Sequence, residues 1–368
     1  MRTESARIRV GVIGCGEVTQ IIHLPTLAQL ADRYEVTALC DISPGVLHGV
    51  ADVWGIERRV QDATALAASE DVDVVLVANP DAYHAGATLA AVAAGKDVLV
   101  EKPMCLNVRE CDEIVAAADA AGAIVQVGYM RRHAAALTEA KRALAELGEI
   151  RYARVHDFIG ENRLIIENTS RVIRVDDVAP ELHAEASQRR EALIDEALGT
   201  VPASVRPVYG LLLGLGSHDI SAMRELLGLP RSVAYATTRH DGAYASAVLD
   251  YGSYVCHYET GVDAIPRFDA HIEVFGTDRV LRIQYDTPYV RNLPVRLSLL
   301  DANGRGGVEE RTILPAWGDP FVAEWLAFHD SVTRRVQPAA SAADFRHDLE
   351  LFGAMVELMA AAPAETLA

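Results

Sequence analysis

Residues 9–20 read "RVGVIGCGEVTQ". An apolar, β-rich run stops at two glycines, Gly14 and Gly16, and a helical pattern opens behind them. Glycines at such a strand-to-helix turn let the backbone approach a diphosphate closely. The helix start behind them offers free N–H groups and partial positive charge. Gly14, Cys15, Gly16, Glu17 and Val18 are therefore the candidate cradle of a dinucleotide pyrophosphate. The third small residue usual in such loops would fall at position 19, where Thr19 stands. That position serves helix–strand packing rather than phosphate contact.

Working outward, the strand-like runs "YEVTALCD" (34–41), "DVDVVLVANP" (71–80), "DVLVEKP" (97–103) and "AIVQVGY" (123–129) alternate with helical stretches, among them 85–94 and 107–121. Asn107 is placed to cap the latter and Gly122 to end it. This rhythm predicts a doubly wound, parallel Rossmann sheet over residues 1–130. Asp41 ends the second strand, 25 residues past Gly16. A carboxylate there accepts from the adenosine ribose hydroxyls and repels a 2′-phosphate, so the expected cofactor is NAD rather than NADP.

The remaining chain, 131–368, has a different rhythm. A helix over 133–147 leads into a strand near 150–159, then come "SVAYATTR", "AYASAVLDY", "SYVCHYET", "DAHIEVFG", "RVLRIQY" and "VRLSLLD". Their spacing predicts an α+β domain on a large, mostly antiparallel open sheet, closed by helices near 319–336 and 342–360. Residues 160–205 break the pattern and read as an insertion carrying a charged amphipathic helix. That helix is expected to be solvated or dimer-facing, or else to act as a lid over the substrate.

The composition bounds the rest. Half of the 368 residues are hydrophobic, and the formal net charge is −18. That sign argues against nucleic acid or anionic lipid as a partner. Five cysteines without a CxxC pair give neither a disulfide framework nor a zinc site, and no metal is expected. No apolar run reaches ~18 residues and no apolar signal region opens the chain, so a cytoplasmic protein is expected.

Two further stretches end parallel strands, where open α/β sheets bind ligands. In "VANPDAYH", Asn79 and Pro80 turn the chain and His84 begins the next helix. In "VEKPM", Glu101 and Lys102 precede Pro103, whose peptide bond can be cis. Tyr129, Arg131 and Arg132 lie where the last strand meets the second half, and arginine there can grip a hydroxyl or carboxylate.

With "HLP" (23–25), "AGK…VLVEKP", "VGYMRRH" (127–133), "GSHDIS" (216–221) and "IEVFGTDRVLRI" (272–283), the chain resembles the Gfo/Idh/MocA oxidoreductases, named for glucose–fructose oxidoreductase, inositol dehydrogenase and rhizopine catabolism. The resemblance implies NAD-dependent oxidation of a secondary hydroxyl of a sugar, cyclitol or glycoside, with C3 of a pyranoside one target. It implies homodimers or homotetramers built on the open sheet. It also implies that Lys102 and His218 face the nicotinamide and the substrate hydroxyl, with Asp219 beside them. Lysine would hold and polarise the oxygen, and histidine, with an ordinary pKa of ~6.5, would take or give the proton.

The chain departs from the family's pattern at one point. Sugar and inositol dehydrogenases of this family commonly carry an aspartate four residues before the histidine, and here Gly214 stands there. Asp176 or Asp177 of the insertion could take its place, and Arg163, Arg171 and Arg174 could contact substrate. Two other functions are compatible with the resemblance: an NAD-dependent glycoside hydrolase that oxidises, eliminates and reduces, and a non-catalytic NAD-binding regulator.

Overall fold

The computed structural model describes residues 7–361. The chain forms two compact units. One holds the described residues up to Tyr129 together with Ser170–Ala197 and Phe321–His347, the other Met130–Thr169, Leu198–Pro320 and the described residues from Asp348.

The first unit is built on six parallel strands, β1 (Ile8–Ile13), β2 (Tyr34–Cys40), β3 (Arg58–Val60), β4 (Val74–Val77), β5 (Asp97–Val100) and β6 (Val125–Val127), in the order β3-β2-β1-β4-β5-β6. β4 and β5 are buried at every position, as expected for strands covered on both faces. The order reverses between β1 and β4, which opens a crevice at their carboxyl ends. Asn107 caps the helix Val108–Ala121 by accepting from Glu110 N at 2.9 Å, and Gly122 ends it in the left-handed region. Short β3, "RRV", escapes sequence reading because two of its three residues are arginines.

The core beneath β1, β2 and β4 gathers Val10, Val12, Leu39, Leu76 and two residues from the far end of the chain, Trp325 and Phe328. These lie on the helix Pro320–Arg334. The helix Pro180–Leu198 also joins this unit, burying Leu193 and Ile194 and pairing Arg109 with Glu196 and Arg190 with Asp81. Sequence reading placed that helix in the second domain. Its apolar face is short, Leu193 and Ile194 being the buried residues, and partly exposed charge pairs with residues about a hundred positions earlier flank it.

The second unit carries an eight-stranded sheet: β7 (Tyr152–Gly160), β8 (Ser232–Arg239), β9 (Tyr244–Asp250), β10 (Val255–Asp263), β11 (Phe268–Phe275), β12 (Arg279–Tyr285), β13 (Arg296–Ala302) and β14 (Val308–Ile313). The order is β14-β13-β12-β11-β7-β10-β9-β8, antiparallel throughout except that β7 runs parallel to β10. The run of hairpins read from the sequence is thus split in the middle by a strand made earlier. Alternation along β10 buries Cys256 and Tyr258 and exposes His257. Helices Ala135–Ala145 and Ser217–Leu227 belong to this unit.

Gly14 has φ +95°, and a Cβ there would collide with the Ala78 carbonyl. Gly14→Ala is expected to destabilise the first unit by roughly 2–4 kcal/mol, through a positive φ and an overpacked loop together. A lower urea midpoint checks this; an unchanged midpoint would contradict the packing argument.

Candidate active site

At the carboxyl ends of β1, β2, β4 and β5 the first unit brings together Gly14, Cys15, Gly16, Glu17, Val18, Asp41, Asn79, Pro80, His84, Glu101 and Lys102. Each is held for a physical reason. Gly14 N donates to Cys40 O at 2.8 Å, which ties the loop to β2. Thr19 is fully buried, and its hydroxyl donates to Gly14 O at 2.6 Å, so the departure at that position is satisfied within the loop. Asp41 accepts from Cys15 N at 2.8 Å with one oxygen and from Ser43 N at 2.9 Å with the other. The carboxylate thereby fixes both the loop and the turn after β2. Its chain neighbours apart, no atom of the described residues lies within 4 Å of where a Cβ would stand on Gly16. Protein packing therefore does not demand glycine there, whereas a diphosphate would. The loop, the helix start and Asp41 together fit a dinucleotide.

His84 is buried. Its ring lies between Asn79 O, 2.6 Å from Nε2, and Pro103 O, 2.8 Å from Nδ1. It ties the end of β4 to the turn after β5. Lys102–Pro103 is cis. Lys102 is partly exposed, and its backbone N–H donates to Glu101 Oε2 at 3.2 Å.

Glu101 is anchored from below. Trp325 Nε1, which can only donate, gives to His23 Nδ1 at 3.1 Å. His23 must then carry its proton on Nε2, which lies 2.9 Å from Glu101 Oε1. Burial pushes the Glu101 carboxyl up, but the His23 hydrogen bond and the nearby Lys102 outweigh it and hold it below the usual range. Motif "HLP" thus serves to seat the lysine turn, a role its sequence alone does not disclose.

The second unit presents His218 at the start of Ser217–Leu227, directly after a π-turn over Leu212–Gly216. His218 is partly exposed and Gly214 is exposed. Beneath them lies a buried charge cluster. Arg131 donates to Asp219 and to Asp157, the latter at 3.0 Å, and its guanidinium stacks over Tyr285 at 5.0 Å. Burial and the neighbouring Asp157 push the Asp219 carboxyl well above its usual range, against the pull of Arg131. Asp157 Oδ1 and Asp219 Oδ2 are buried without another partner, and a single retained proton lets one carboxyl donate to the other.

Four residues expected to touch substrate have side chains that lie in the interior. Tyr129 is fully buried and stacks on Phe345. Arg131 and Asp219 are consumed by each other and by Asp157. Arg132 donates to Ser221 O at 3.0 Å, with its side chain 4% exposed. Asp177, considered as a substitute for the residue missing at 214, accepts instead from Ser43 Oγ and from Gly45 N. Arg174 pairs with Glu17.

Outside these groups, His156, Asp269 and His271 bring ligand-type atoms within 4.8 Å of one another. Arg282 Nη2 lies 3.1 Å from His271 Nδ1 and 3.9 Å from Asp269. A guanidinium already supplies positive charge there, so the group reads as part of the ionic lattice of the sheet face.

A glycine loop and a carboxylate at the end of β2, both at the switch point of a Rossmann sheet, define a fold suited to binding a dinucleotide. The family described as "Oxidoreductase family, NAD-binding Rossmann fold" matches residues 8–129, so the first third of the chain is similar to the NAD-binding region of the Gfo/Idh/MocA oxidoreductases. Inositol 2-dehydrogenase 3 of Saccharopolyspora erythraea is 29% identical over 354 residues, covering 96% of this chain and 93% of that enzyme. Inositol 2-dehydrogenase 2 of the same organism is 32% identical, over 69% of this chain and 64% of that enzyme. Among solved structures, a 3-ketoreductase from Actinomadura kijaniata in complex with NADP and TDP-benzene superposes with TM-score 0.72 at 22% identity, over 94% of this chain and 96% of that one. That likeness shows the shared fold.

Two outcomes are expected. Glu101→Ala leaves the His23 and Lys102 N–H groups without their acceptor and destabilises the first unit by about 2–4 kcal/mol, read by denaturant titration. For Asp219, the folded state holds a proton that the unfolded state releases near ~3.9. Above that pH the native form binds more protons, so stability falls as pH rises until Asp219 ionises in the folded chain. Asp219→Asn is expected to flatten that fall in melting temperature against pH; identical slopes would contradict the retained proton.

Proposed function

We propose that the protein is an NAD-dependent dehydrogenase that oxidises a secondary hydroxyl of a sugar, cyclitol or glycoside, or reduces the corresponding ketone. The observation that carries this reading is the lysine turn. Lys102, a partly exposed residue, follows β5 on a turn braced by the buried Trp325–His23–Glu101 chain. Bracing of this kind holds a reacting group in place, and geometry must be held before acid–base chemistry can work. The names of the relatives, two inositol 2-dehydrogenases and a 3-ketoreductase, support a polyhydroxylated ring as substrate, with C3 of a pyranoside one position to test.

Oxidising such a carbon removes a hydride and a proton, and NAD when bound supplies the hydride acceptor. The chain must handle the proton. Lys102 would hold and polarise the hydroxyl oxygen, and His218 would accept the proton in oxidation and return it in reduction. Asp41 would hold the ribose, and the loop Gly14–Val18 the diphosphate, through backbone N–H groups. The charge cluster of Arg131, Asp157 and Asp219 fixes the first turn of Ser217–Leu227, and hence the base of His218, from inside the unit. No carboxylate at position 214 is available to orient the imidazole, which makes the lysine the more important of the two.

A panel of inositols and pyranosides, followed at the absorbance band of reduced nicotinamide, tests the activity. Lys102→Ala is expected to lower kcat by ~10²–10⁴-fold on the substrate so identified. Turnover unchanged in that variant would remove the lysine from the chemistry.

A further inference from the structure

Residues 173–177 of the insertion lie along the adenosine end of the cofactor cradle. Gln20, one turn behind the phosphate loop, donates to Cys15 O at 2.7 Å and to Ile173 O at 3.0 Å, and accepts from Ile173 N at 2.8 Å. Arg174 pairs with Glu17 in the loop itself. Ile173 then packs against Gly49, and Val175 and Asp177 against Gly45. A Cβ on Gly49 would stand 3.0 Å from Ile173, and one on Gly45 2.8 Å from both Val175 and Asp177. The strap therefore runs from the diphosphate loop to the turn after β2.

Its last contact has a chemical consequence. The helix Pro44–Trp54 begins at Ser43, and its first turn offers few donors. Pro44 has no N–H. Val46 N donates to Ser43 Oγ at 3.1 Å and Leu47 N to Ser43 O at 2.9 Å. The Ser43 hydroxyl and Gly45 N are left, and both donate to Asp177, the second at 2.7 Å. Ser43 N is already taken by Asp41. Two carboxylates thus converge on one residue, Asp41 on its N–H and Asp177 on its hydroxyl. These hydrogen bonds hold the Asp177 carboxyl below the usual range, so it is charged at neutral pH.

We propose that Asp177 is a cofactor-specificity residue: it occupies, with a carboxylate of the chain's own, the position that a ribose 2′-phosphate would need. This rests on the reading above that Asp41 holds the adenosine ribose of a nicotinamide dinucleotide. A phosphate attached to that ribose would seek a helix start with free N–H groups and a serine hydroxyl. It would instead find those donors filled and two negative charges beside it. Asp41 alone prefers a diol; Asp177 removes the alternative by denying the phosphate its partners. NADP is excluded by a segment about 135 residues downstream of the strand end where discrimination is usually sought.

The test is nucleotide affinity of the full-length protein, read from nicotinamide fluorescence with NADH and NADPH. Competition by 5′-AMP and by adenosine 2′,5′-bisphosphate isolates the added phosphate. The wild type is expected to prefer NADH, and Asp177→Asn and Asp177→Ala to narrow the NADPH/NADH ratio of Kd by at least tenfold. Most of that gain should be lost at high salt. A lost fold or a merely loosened strap would weaken both nucleotides together and leave the ratio where it was. A ratio within twofold of wild type in both variants overturns the role of Asp177 while leaving the dehydrogenase reading intact. Equal wild-type affinity for the two nucleotides does the same. Binding of neither NADH nor NADPH by the wild type overturns the cofactor reading and this inference together.

Discussion

A buried carboxylate must find donors or lose its charge, and the first unit is organised around one that found them. Glu101 closes β5 with one oxygen on His23 and the other on the N–H of Lys102. The chain continues through His23 to Trp325, a residue some three hundred positions on. Trp325 is also part of the core under β1 and β2, where Tyr34 packs edge-on against it and donates to its carbonyl. The direction of the lysine turn is therefore coupled to the hydrophobic core by a line of three hydrogen-bonded side chains, each with one permissible arrangement of its protons. Removal of any member leaves a buried polar group stranded, which is why the arrangement is rigid.

The second unit solves the same problem differently. Its buried cluster has one guanidinium and two carboxyls, so full ionisation would leave a net negative charge in the interior. Retention of one proton neutralises it. The aromatic faces of Phe268 and Tyr285 complete the enclosure of Arg131. In each unit a residue suited to chemistry, Lys102 or His218, sits next in sequence to the buried carboxyl, so side chains that are partly exposed inherit the order of those that are not.

Much of this architecture was legible. The strongly apolar strands β4 and β5, the glycine loop and the alternation of strand and helix each carry a local signal, and the parallel sheet follows from them. Local pattern failed where partners come from far away. Arg131 looks like a binding arginine until Asp157 and Asp219 meet it, and neither lies near it in sequence. Asp177 looked available to support His218, yet Ser43 and Gly45 take it, because an unsatisfied helix start is a stronger attractor than anything readable in "RVDDVA". The helix at 180–198 reads as amphipathic, but its buried face is only Leu193 and Ile194, too small a signal to say which unit it joins. Strand β7 was visible as a strand, but its insertion between β10 and β11 leaves no trace in a chain read one segment at a time.

That placement of β7 bears on biosynthesis. Both of its neighbours are encoded roughly a hundred residues after it. At a ribosomal rate of ~5–20 residues per second, the strand leaves the exit tunnel and waits on the order of five to twenty seconds with both edges unpaired. Its less buried row carries Tyr152, Arg154, His156 and Phe158. The charge of Arg154 discourages a nascent neighbour from pairing there in the interval, as charged residues do on permanent sheet edges.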